Sequence, residues 1–487
     1  MMKVLFLQPP MGGWVTWGKH IAINVNHAQL AANLREWYPE IEIKVLDCRA
    51  LNMDEKQMLD AVKEIEPNLV YMGDALQTTG VAAIHPRYKQ AANLIKQILP
   101  KTLICVGGFF YGANAPEMLE KTPEFDFVIS GETEVTMPEL AKELSKKDPD
   151  IPSVKGLAYR ENGIVKLTAY RPLIENLDDL PLPAYDLFPM DKYIGFNYVR
   201  HYVETYHSRG CPNGCRFCVG WTNYDPRGNR DWTHYRIRSG KKVVDELEVL
   251  EKKFGAKWVV MMDEDFNVNR KRMEEFIEEK ARRGVKVPFF FMGRAPYHLR
   301  DRDLLKPLRK VGFVCGLFGM EAVDEETLKK INKGIRIDQV EEAVRLFREN
   351  DIMSVVTWMV GFPDDDEWSI KNRFERLDKI DPDMAALQIM TPVPGIPMYK
   401  ELKPYIVDTD LRKWDFQHAV IRTKYLSKEE LGRLAAWVNR EFYSKPGRIQ
   451  RILYYKKYHP FCRLSARCYI ETAESHTKAA TQDEIFV

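Results

Sequence analysis

The sequence predicts an α/β protein with two successive regions of alternating strands and helices, followed by a mainly helical extension. Short apolar runs of strand length alternate with amphipathic helical patterns over residues 1–150, and the same alternation restarts at residue 200. The 487 residues are enough for two or three domains that each bury a core. Helical stretches without strand-like runs predict that residues 401–487 form a C-terminal extension.

The overall composition excludes several classes of protein. Hydrophobic residues make up 45% and charged residues 29% of the chain, as in ordinary globular domains, which argues against disorder. A net charge of +2 gives no general attraction for nucleic acid. The sequence contains no secretory signal pattern and no apolar run of about 18 residues, so we expect a cytoplasmic protein without a membrane span.

The N-terminal region alternates from its first residues. KVLFL at 3–7, LVYMG at 69–73 and TLICVGG at 102–108 are strand-like, and helical patterns that end at prolines lie between such runs. This order predicts a doubly wound, Rossmann-like parallel sheet over residues 1–150. Ligands of such sheets bind beyond the carboxyl ends of the strands.

Glycines lie at the predicted strand ends of this region. Gly107 and Gly108 follow one strand, and Gly131, next to Glu132, follows another. Because glycine has no side chain, the backbone there is able to approach a large flat ligand closely. The alternative is that these glycines only form tight turns.

The second half of the chain predicts a barrel behind a linker. Residues 151–199 contain a hairpin pattern with an Asn-Gly turn and then a proline-rich stretch, which is typical of a domain junction. Six strand-helix repeats follow over residues 200–400. They fit a partial TIM-type (β/α)6 barrel, whose chemistry lies at the carboxyl ends of the strands.

Three of the eight cysteines lie in one short segment, CPNGCRFC, directly after the first barrel strand. In a cytoplasmic protein, clustered Cys211, Cys215 and Cys218 favour a metal site over disulfides. Three thiolates hold three irons of a cubane cluster and leave the fourth iron open. A structural zinc site is the alternative, although it needs a further Cys or His ligand.

The Cys-x3-Cys-x2-Cys spacing, with Phe217 before the last cysteine, resembles the signature of the radical S-adenosylmethionine (SAM) superfamily. The resemblance implies that SAM chelates the open iron of a 4Fe–4S cluster and is cleaved to a 5′-deoxyadenosyl radical. It also implies SAM contacts after the later strands, at Asp263, Glu264, Asp265, Arg294, Glu321 and Gly361. Helix capping and buried ion pairs are the alternative roles of the charged residues among them.

The N-terminal region resembles the cobalamin-binding domain that precedes many radical SAM enzymes. The resemblance rests on the strand-GG-x7-PEML and strand-SGETE patterns. It implies that cobalamin lies above the barrel mouth, near the glycines described above and Glu132. The Asp-x-His-x-x-Gly signature is missing, so no histidine ligand of cobalt is implied. Leu76 and Gln77 would face the lower side of cobalt.

The three regions together resemble the class B radical methyltransferases. This implies C-methylation of an unactivated carbon through methylcobalamin and the 5′-deoxyadenosyl radical; no residue is assigned as catalytic. A glutamine of the methyl-coenzyme M reductase alpha subunit and a small hydrophobic molecule are the expected substrates, and ferredoxin or flavodoxin the expected electron donor. One alternative is a cobalamin-dependent cyclase or oxidase of a tetrapyrrole or lipid. Another is a non-catalytic iron–sulfur or corrinoid-binding protein.

Overall fold

The computed structural model of the chain describes residues 1–11, 19–73, 81–221 and 234–482. Within these ranges the chain forms two main sheets with helices packed on them, and a helical region follows. The predicted α/β class and the order of its parts are confirmed.

Residues 3–167 form the first sheet and its helices. Its strands are β1 (Lys3–Gln8), β2 (Glu42–Asp47), β3 (Leu69–Gly73), β4 (Leu103–Gly107), β5 (Phe127–Ile129), β6 (Leu157–Glu161) and β7 (Ile164–Leu167). Its helices are α1 (Val25–Trp37), α2 (Glu55–Ile65), α3 (Val81–Ile98), α4 (Phe109–Gly112), α5 (Ala115–Lys121) and α6 (Thr133–Leu144).

The strands of the first sheet are ordered β2-β1-β3-β4-β5-β6-β7. The first five are parallel, and β6 and β7 add an antiparallel edge. The hairpin that the sequence assigned to the linker 151–199 is therefore part of this sheet. Chain order reverses between β1 and β3, and ligands of doubly wound sheets bind at such a switch point.

Both faces of the first sheet are covered, which is why its strands are apolar almost throughout. Side chains alternate along β1: Val4 and Phe6 pack with α1 and α6 on one face. Leu5 and Leu7 belong to the other core, which includes residues of α2 and α3. All four β1 side chains are fully buried.

The next part of the chain, residues 194–389, contains the barrel sheet and two short two-stranded sheets. Its strands are β8 (Ile194–Gly195), β9 (Val199–Arg200), β10 (Tyr202–Thr205), β11 (Ser208–Arg209), β12 (Arg236–Ile237), β13 (Trp258–Met261), β14 (Phe289–Gly293), β15 (Phe313–Glu321), β16 (Met353–Val360) and β17 (Met384–Ile389). Its helices are α7 (Gly240–Phe254), α8 (Arg270–Arg283), α9 (Ala295–Arg300), α10 (Leu305–Lys310), α11 (Glu325–Lys330), α12 (Ile337–Glu349) and α13 (Glu367–Ile380).

Six parallel strands of the described residues form the barrel sheet, in the order β10-β13-β14-β15-β16-β17. Strand and chain order coincide, as expected for repeated strand-helix units. In the part of the chain that is described, β10 and β17 are the two edges of this sheet, so the barrel is a half-barrel.

The C-terminal region closes the amino end of the barrel. Its helices are α14 (Tyr399–Leu402), α15 (Lys428–Tyr443), α16 (Pro446–Tyr454) and α17 (Pro460–Gln482). On α17, Phe461 stacks on Trp258 with ring centroids 6.0 Å apart, and the Cys462 thiol donates to the Val314 carbonyl at 3.5 Å. Both partners lie near the amino ends of barrel strands, so α17 covers that end.

Basic residues of the C-terminal region are bound within the fold. Arg448 and Arg451 donate to Asp381 at 2.9 Å each, and Arg451 also donates to the buried Asp383 at 2.8 Å. These arginines therefore fasten α16 to the turn before β17. In the described residues, no helix is long and apolar enough to cross a membrane.

Candidate active site

The cysteine loop begins directly after β11. Gly210 and Gly214 have φ of 77° and 60°, a left-handed conformation that favours glycine, and they bracket the tight turn of the loop. The side chains of Cys211, Cys215 and Cys218 all line one cavity of about 260 Å³ inside the barrel. The predicted iron ligands are thus brought together at the carboxyl end of the barrel.

Hydrogen bonds hold two of the three sulfurs. The Asn213 side-chain amide donates to Cys211 Sγ at 3.3 Å, and the Gly220 backbone amide donates to Cys218 Sγ at 3.3 Å. Burial raises the pKa of the Cys218 thiol to about 12, so thiolates in this loop need a bound cation. This donor set fits a cluster in which each cysteine binds a different iron.

Two of the three predicted acids line the cavity. Burial raises the pKa of Glu264 to about 8 and that of Asp265 to about 7. Glu264 accepts from the Tyr206 hydroxyl, and Asp265 accepts from Asn213 at 3.0 Å. Their other oxygens, Glu264 Oε2 and Asp265 Oδ1, are buried without a hydrogen-bond partner among the described residues. A cationic donor, such as an ammonium group, would satisfy both oxygens.

Asp263 has a different environment. It is fully buried outside the lining of the cavity, 3.5 Å from His207 and 3.7 Å from Arg272. Burial alone would raise its pKa, but His207 and Arg272 outweigh burial and lower the pKa to about 2. Asp263 also accepts from the His207 backbone amide at 3.2 Å. It thereby supports the strand segment that leads into the cysteine loop.

The predicted residues after β14 and β15 meet at the cavity wall. Lys333 Nζ donates to Glu321 Oε1 at 2.9 Å and lies 5.9 Å from the Phe217 ring centroid. Arg294 donates to the backbone carbonyl of Lys333. Glu321 has φ of 64°, and a Cβ on Gly319 would lie 2.3 Å from both the Glu321 carboxylate and Lys333 Nζ. Gly319 therefore leaves the space that this ion pair needs.

Gly361 lies at a turn after β16. Its φ is 91°, and its amide donates to Asp365 at 2.8 Å. A Cβ there would lie 3.1 Å from Leu431. Gly361 is not among the residues that line the cavity. Its contact with SAM stays a prediction.

The carboxyl edge of the first sheet contains the other predicted contacts. Gly108 and Gly131 have φ of 114° and 84°, conformations that only glycine adopts readily. Packing requires glycine at position 107, because a Cβ there would lie 2.9 Å from the Tyr71 hydroxyl. Leu76 and Gln77 lie outside the described residues.

Two buried glutamates after β5 bind arginines of the barrel. Glu132 lies 2.7 Å from Arg236 and accepts from the Ile174 amide at 2.7 Å. Glu134 accepts from Arg209 at 2.6 Å and 3.0 Å. The predicted cofactor residue Glu132 therefore joins the first sheet to the barrel.

Three functional side chains were not predicted from the sequence. Asn213 links Cys211 to Asp265, Lys333 pairs with Glu321, and Arg209 precedes the cysteine loop. Asn213 could have been predicted as a site residue, because it lies between two of the cluster cysteines in the sequence. No sequence pattern indicated Lys333 or Arg209, because their partners Glu321 and Glu134 are not their neighbours in the sequence.

Comparison with known proteins supports the site. Residues 205–377 match the Radical SAM superfamily. The chain is 27% identical over 453 residues to an uncharacterized methyltransferase of Pyrococcus horikoshii, covering 92% of this chain and 93% of that protein. It is 28% identical over 438 residues to the anaerobic magnesium-protoporphyrin IX monomethyl ester cyclase of Rubrivivax gelatinosus, covering 88% of this chain and 75% of that protein.

A solved structure shares the fold. The cobalamin-dependent S-adenosylmethionine radical enzyme OxsB, with aqua-cobalamin and S-adenosylmethionine bound, matches with a TM-score of 0.71 at 16% identity. The match covers 98% of this chain and 71% of that chain. It therefore includes the N-terminal sheet, the half-barrel and the helical C-terminal region.

The cysteine loop, its place in the half-barrel and the superfamily match define a radical SAM enzyme. More narrowly, the chain is similar over most of its length to a methyltransferase and to a cyclase, and in fold to a cobalamin-dependent radical SAM enzyme. The cyclase relative is about as similar as the methyltransferase relative, so the family does not by itself give the reaction.

Proposed function

We propose that the chain is a C-methyltransferase that uses a 4Fe–4S cluster, SAM and cobalamin to methylate an unactivated carbon. The observation that carries the proposal is that the carboxyl edges of the two sheets face each other. Arg209, just before the cysteine loop, pairs with Glu134, just after β5. On the other side, a Cβ on Gly395 would lie 3.4 Å from Ala113 Cβ, after β4. A cofactor at the first edge would therefore lie close to one in the barrel mouth.

The cavity residues fit the binding of SAM. When bound, the cluster and SAM supply a 5′-deoxyadenosyl radical, and cobalamin supplies a methyl group. Glu264 and Asp265 each offer to the amino group of SAM a buried oxygen that has no partner among the described residues. Arg294 offers positive charge to its carboxylate, and Glu321 accepts from a ribose hydroxyl. The low dielectric of the buried wall strengthens each of these contacts.

The first sheet fits a flat macrocycle at its carboxyl edge. Gly108 and Gly131 present backbone without side chains there. The end of β3 is held in place because the Gly73 carbonyl accepts from Asn24 and Tyr88 at 2.8 Å each, while its amide donates to His27 at 2.9 Å. A rigid edge lowers the entropy that a bound ligand must overcome. The predicted contacts of Leu76 and Gln77 with cobalamin remain part of the proposal.

Anaerobic reconstitution tests the proposed reaction. Enzyme loaded with iron, sulfide and cobalamin is incubated with SAM and a low-potential reductant, and the products are separated by chromatography. We expect 5′-deoxyadenosine and S-adenosylhomocysteine together, because radical formation and methylation of cobalamin each consume SAM. Formation of 5′-deoxyadenosine without S-adenosylhomocysteine would overturn the methyltransferase proposal.

A cyclase is the second candidate, favoured by the similarity to the Rubrivivax gelatinosus protein over 88% of this chain. Both reactions begin with the same radical, so they differ in whether a methyl group reaches the product. Mass spectrometry of the product after incubation with methyl-labelled SAM separates them. Ferredoxin or flavodoxin is the proposed electron donor in either case.

For the substrate, the proposal names two classes of molecule and no single compound. A peptide containing the glutamine of methyl-coenzyme M reductase stays a predicted substrate, and a small hydrophobic molecule is the other. Methylation of that peptide by the reconstituted enzyme would be the direct test of the first. The shape of the cavity inside the barrel is relevant to the small hydrophobic molecule.

A further inference from the structure

The cavity continues from the cysteine loop to the opposite end of the barrel. Glu321 and Cys315 both line it, at the carboxyl end and near the amino end of β15. Six residue steps separate them, which at about 3.3 Å per residue is a path of about 20 Å along the strand. At the far end the wall is completed by α17, through Cys462, Ser465 and Tyr469. The cavity is thus a deep chamber whose charged side chains lie near the cysteines, apart from Glu204 on β10.

The barrel wall below the proposed SAM level is mostly apolar. Its buried carboxylate, Glu204 on β10, lies 2.9 Å from His20 Nε2 and accepts from the Tyr202 hydroxyl at 2.9 Å, so its charge is already paired within the fold. In the strand register Phe290 pairs with Cys315, and Cys315 pairs with Met353. The next row toward the cysteines pairs Leu317 with Val355, which in turn pairs with Met384. We call the space bounded by the following six residues the lower chamber: Trp258, Phe290, Cys315, Met353, Met384 and Cys462.

Small side chains and an open half-barrel explain why the lower chamber is not filled. The interior of a complete eight-stranded barrel is packed with layers of large branched side chains. Here Cys315 and Cys462 contribute short side chains at the bottom of the lower chamber. The Ser465 hydroxyl donates to the Phe461 carbonyl at 3.0 Å, so its hydrogen-bond donor is used within α17.

We propose that the lower chamber binds a hydrocarbon chain of the substrate, with the reacting carbon toward the cysteine loop. This inference rests on the proposed function, because it names the substrate class of that same site. An unbranched or isoprenoid chain matches the depth and the apolar wall, and burial of each methylene contributes about 0.8 kcal/mol. A charged peptide segment would leave its polar groups without partners there.

Binding of primary alcohols of increasing length tests the chamber directly. The probes are octanol, dodecanol and hexadecanol, and the signal is tryptophan fluorescence of the reconstituted enzyme, because Trp258 lines the chamber. Affinity should rise steeply with chain length, by about fourfold per buried methylene until the chamber is full. The alcohols should bind equally well with SAM present. Competition with SAM, or an affinity independent of length, would overturn the proposal.

Two filling substitutions locate the binding site. Cys315→Met and Cys462→Met each add bulk to the lower chamber and should weaken dodecanol binding at least about tenfold, the effect of about two lost methylenes. Cys105→Met adds the same bulk to Cys105, which is fully buried in the first half of the chain, and is the matched control for overpacking. Unchanged affinity in both chamber variants would contradict the proposal.

The reaction assay keeps this inference separate from the proposed function. Formation of 5′-deoxyadenosine and S-adenosylhomocysteine without length-dependent alcohol binding would overturn the hydrocarbon chamber and leave the methyltransferase proposal standing. Length-dependent binding without S-adenosylhomocysteine would support the chamber and overturn the methyltransferase.

Discussion

The ion pair between Arg209 and Glu134 gives the sharpest test of how the two halves of the site are held together. Glu134 Oε1 accepts from Arg209 at 2.6 Å and 3.0 Å, and both side chains are almost fully buried, at 4% and 2% exposure. Burial alone would raise the pKa of Glu134, but the guanidinium outweighs burial and lowers it. Arg209 lies two residues before Cys211, so the pair also positions the cysteine loop.

Glu134→Gln removes the negative charge and leaves a buried guanidinium without its counter-charge. Breaking a buried pair in this way costs about 3–5 kcal/mol. We therefore expect a loss of that size in the free energy of unfolding, measured by urea denaturation of the cluster-free protein. Iron bound per chain after reconstitution should also fall, because the segment before Cys211 loses its anchor.

A matched control and a double variant complete this experiment. Glu117→Gln removes a carboxylate from the exposed pair with Lys121, where the two side chains are 57% and 70% exposed, and should change stability by at most about 1 kcal/mol. Replacing both partners, as Glu134→Leu with Arg209→Met, should recover most of the lost stability. The reasoning is refuted if Glu134→Gln unfolds like the control and binds iron like the parent chain.

Substitutions at the cysteine loop, at Gly361 and at His85 test other parts of the structure. Alanine in place of any of the three loop cysteines should abolish the cluster absorbance and 5′-deoxyadenosine formation while corrinoid binding is retained; full 5′-deoxyadenosine production would reject these ligands. Gly361→Ala should cost about 1–3 kcal/mol in urea denaturation, because φ is 91° and Leu431 is close, and an unchanged midpoint would contradict this. Burial lowers the pKa of His85 from 6.5 to about 4, so the unfolded chain binds a proton in this window that the folded chain does not. Stability should therefore fall by up to about 3 kcal/mol as pH falls from 6.5 to 4, and His85→Phe, which suits the aromatic surroundings of His85, should reduce that slope in acid titrations. An identical slope in the variant would contradict the role of His85.

The order of the elements and the cysteine loop could be predicted from local sequence patterns. Strands and helices follow from apolar periodicity, which is a local property, and the six parallel barrel strands, β10 and β13 to β17, lie where the alternation predicted them. The spacing of Cys211, Cys215 and Cys218 is also local, because one short loop contains all three. A motif of this kind can be recognised without knowledge of the fold.

The partners of the acidic and basic side chains at the site depend on the three-dimensional fold. Asp263, Glu264 and Asp265 are consecutive, yet Asp263 pairs with His207 and Arg272 while its two neighbours line the cavity. Glu132 and Glu134 turn toward arginines of the barrel, and α17 closes a chamber that begins at the cysteine loop. Each of these arrangements joins residues far apart in sequence. They depend on long-range packing, which fixes the depth of burial and the nearest charge, and neither quantity is encoded in local periodicity.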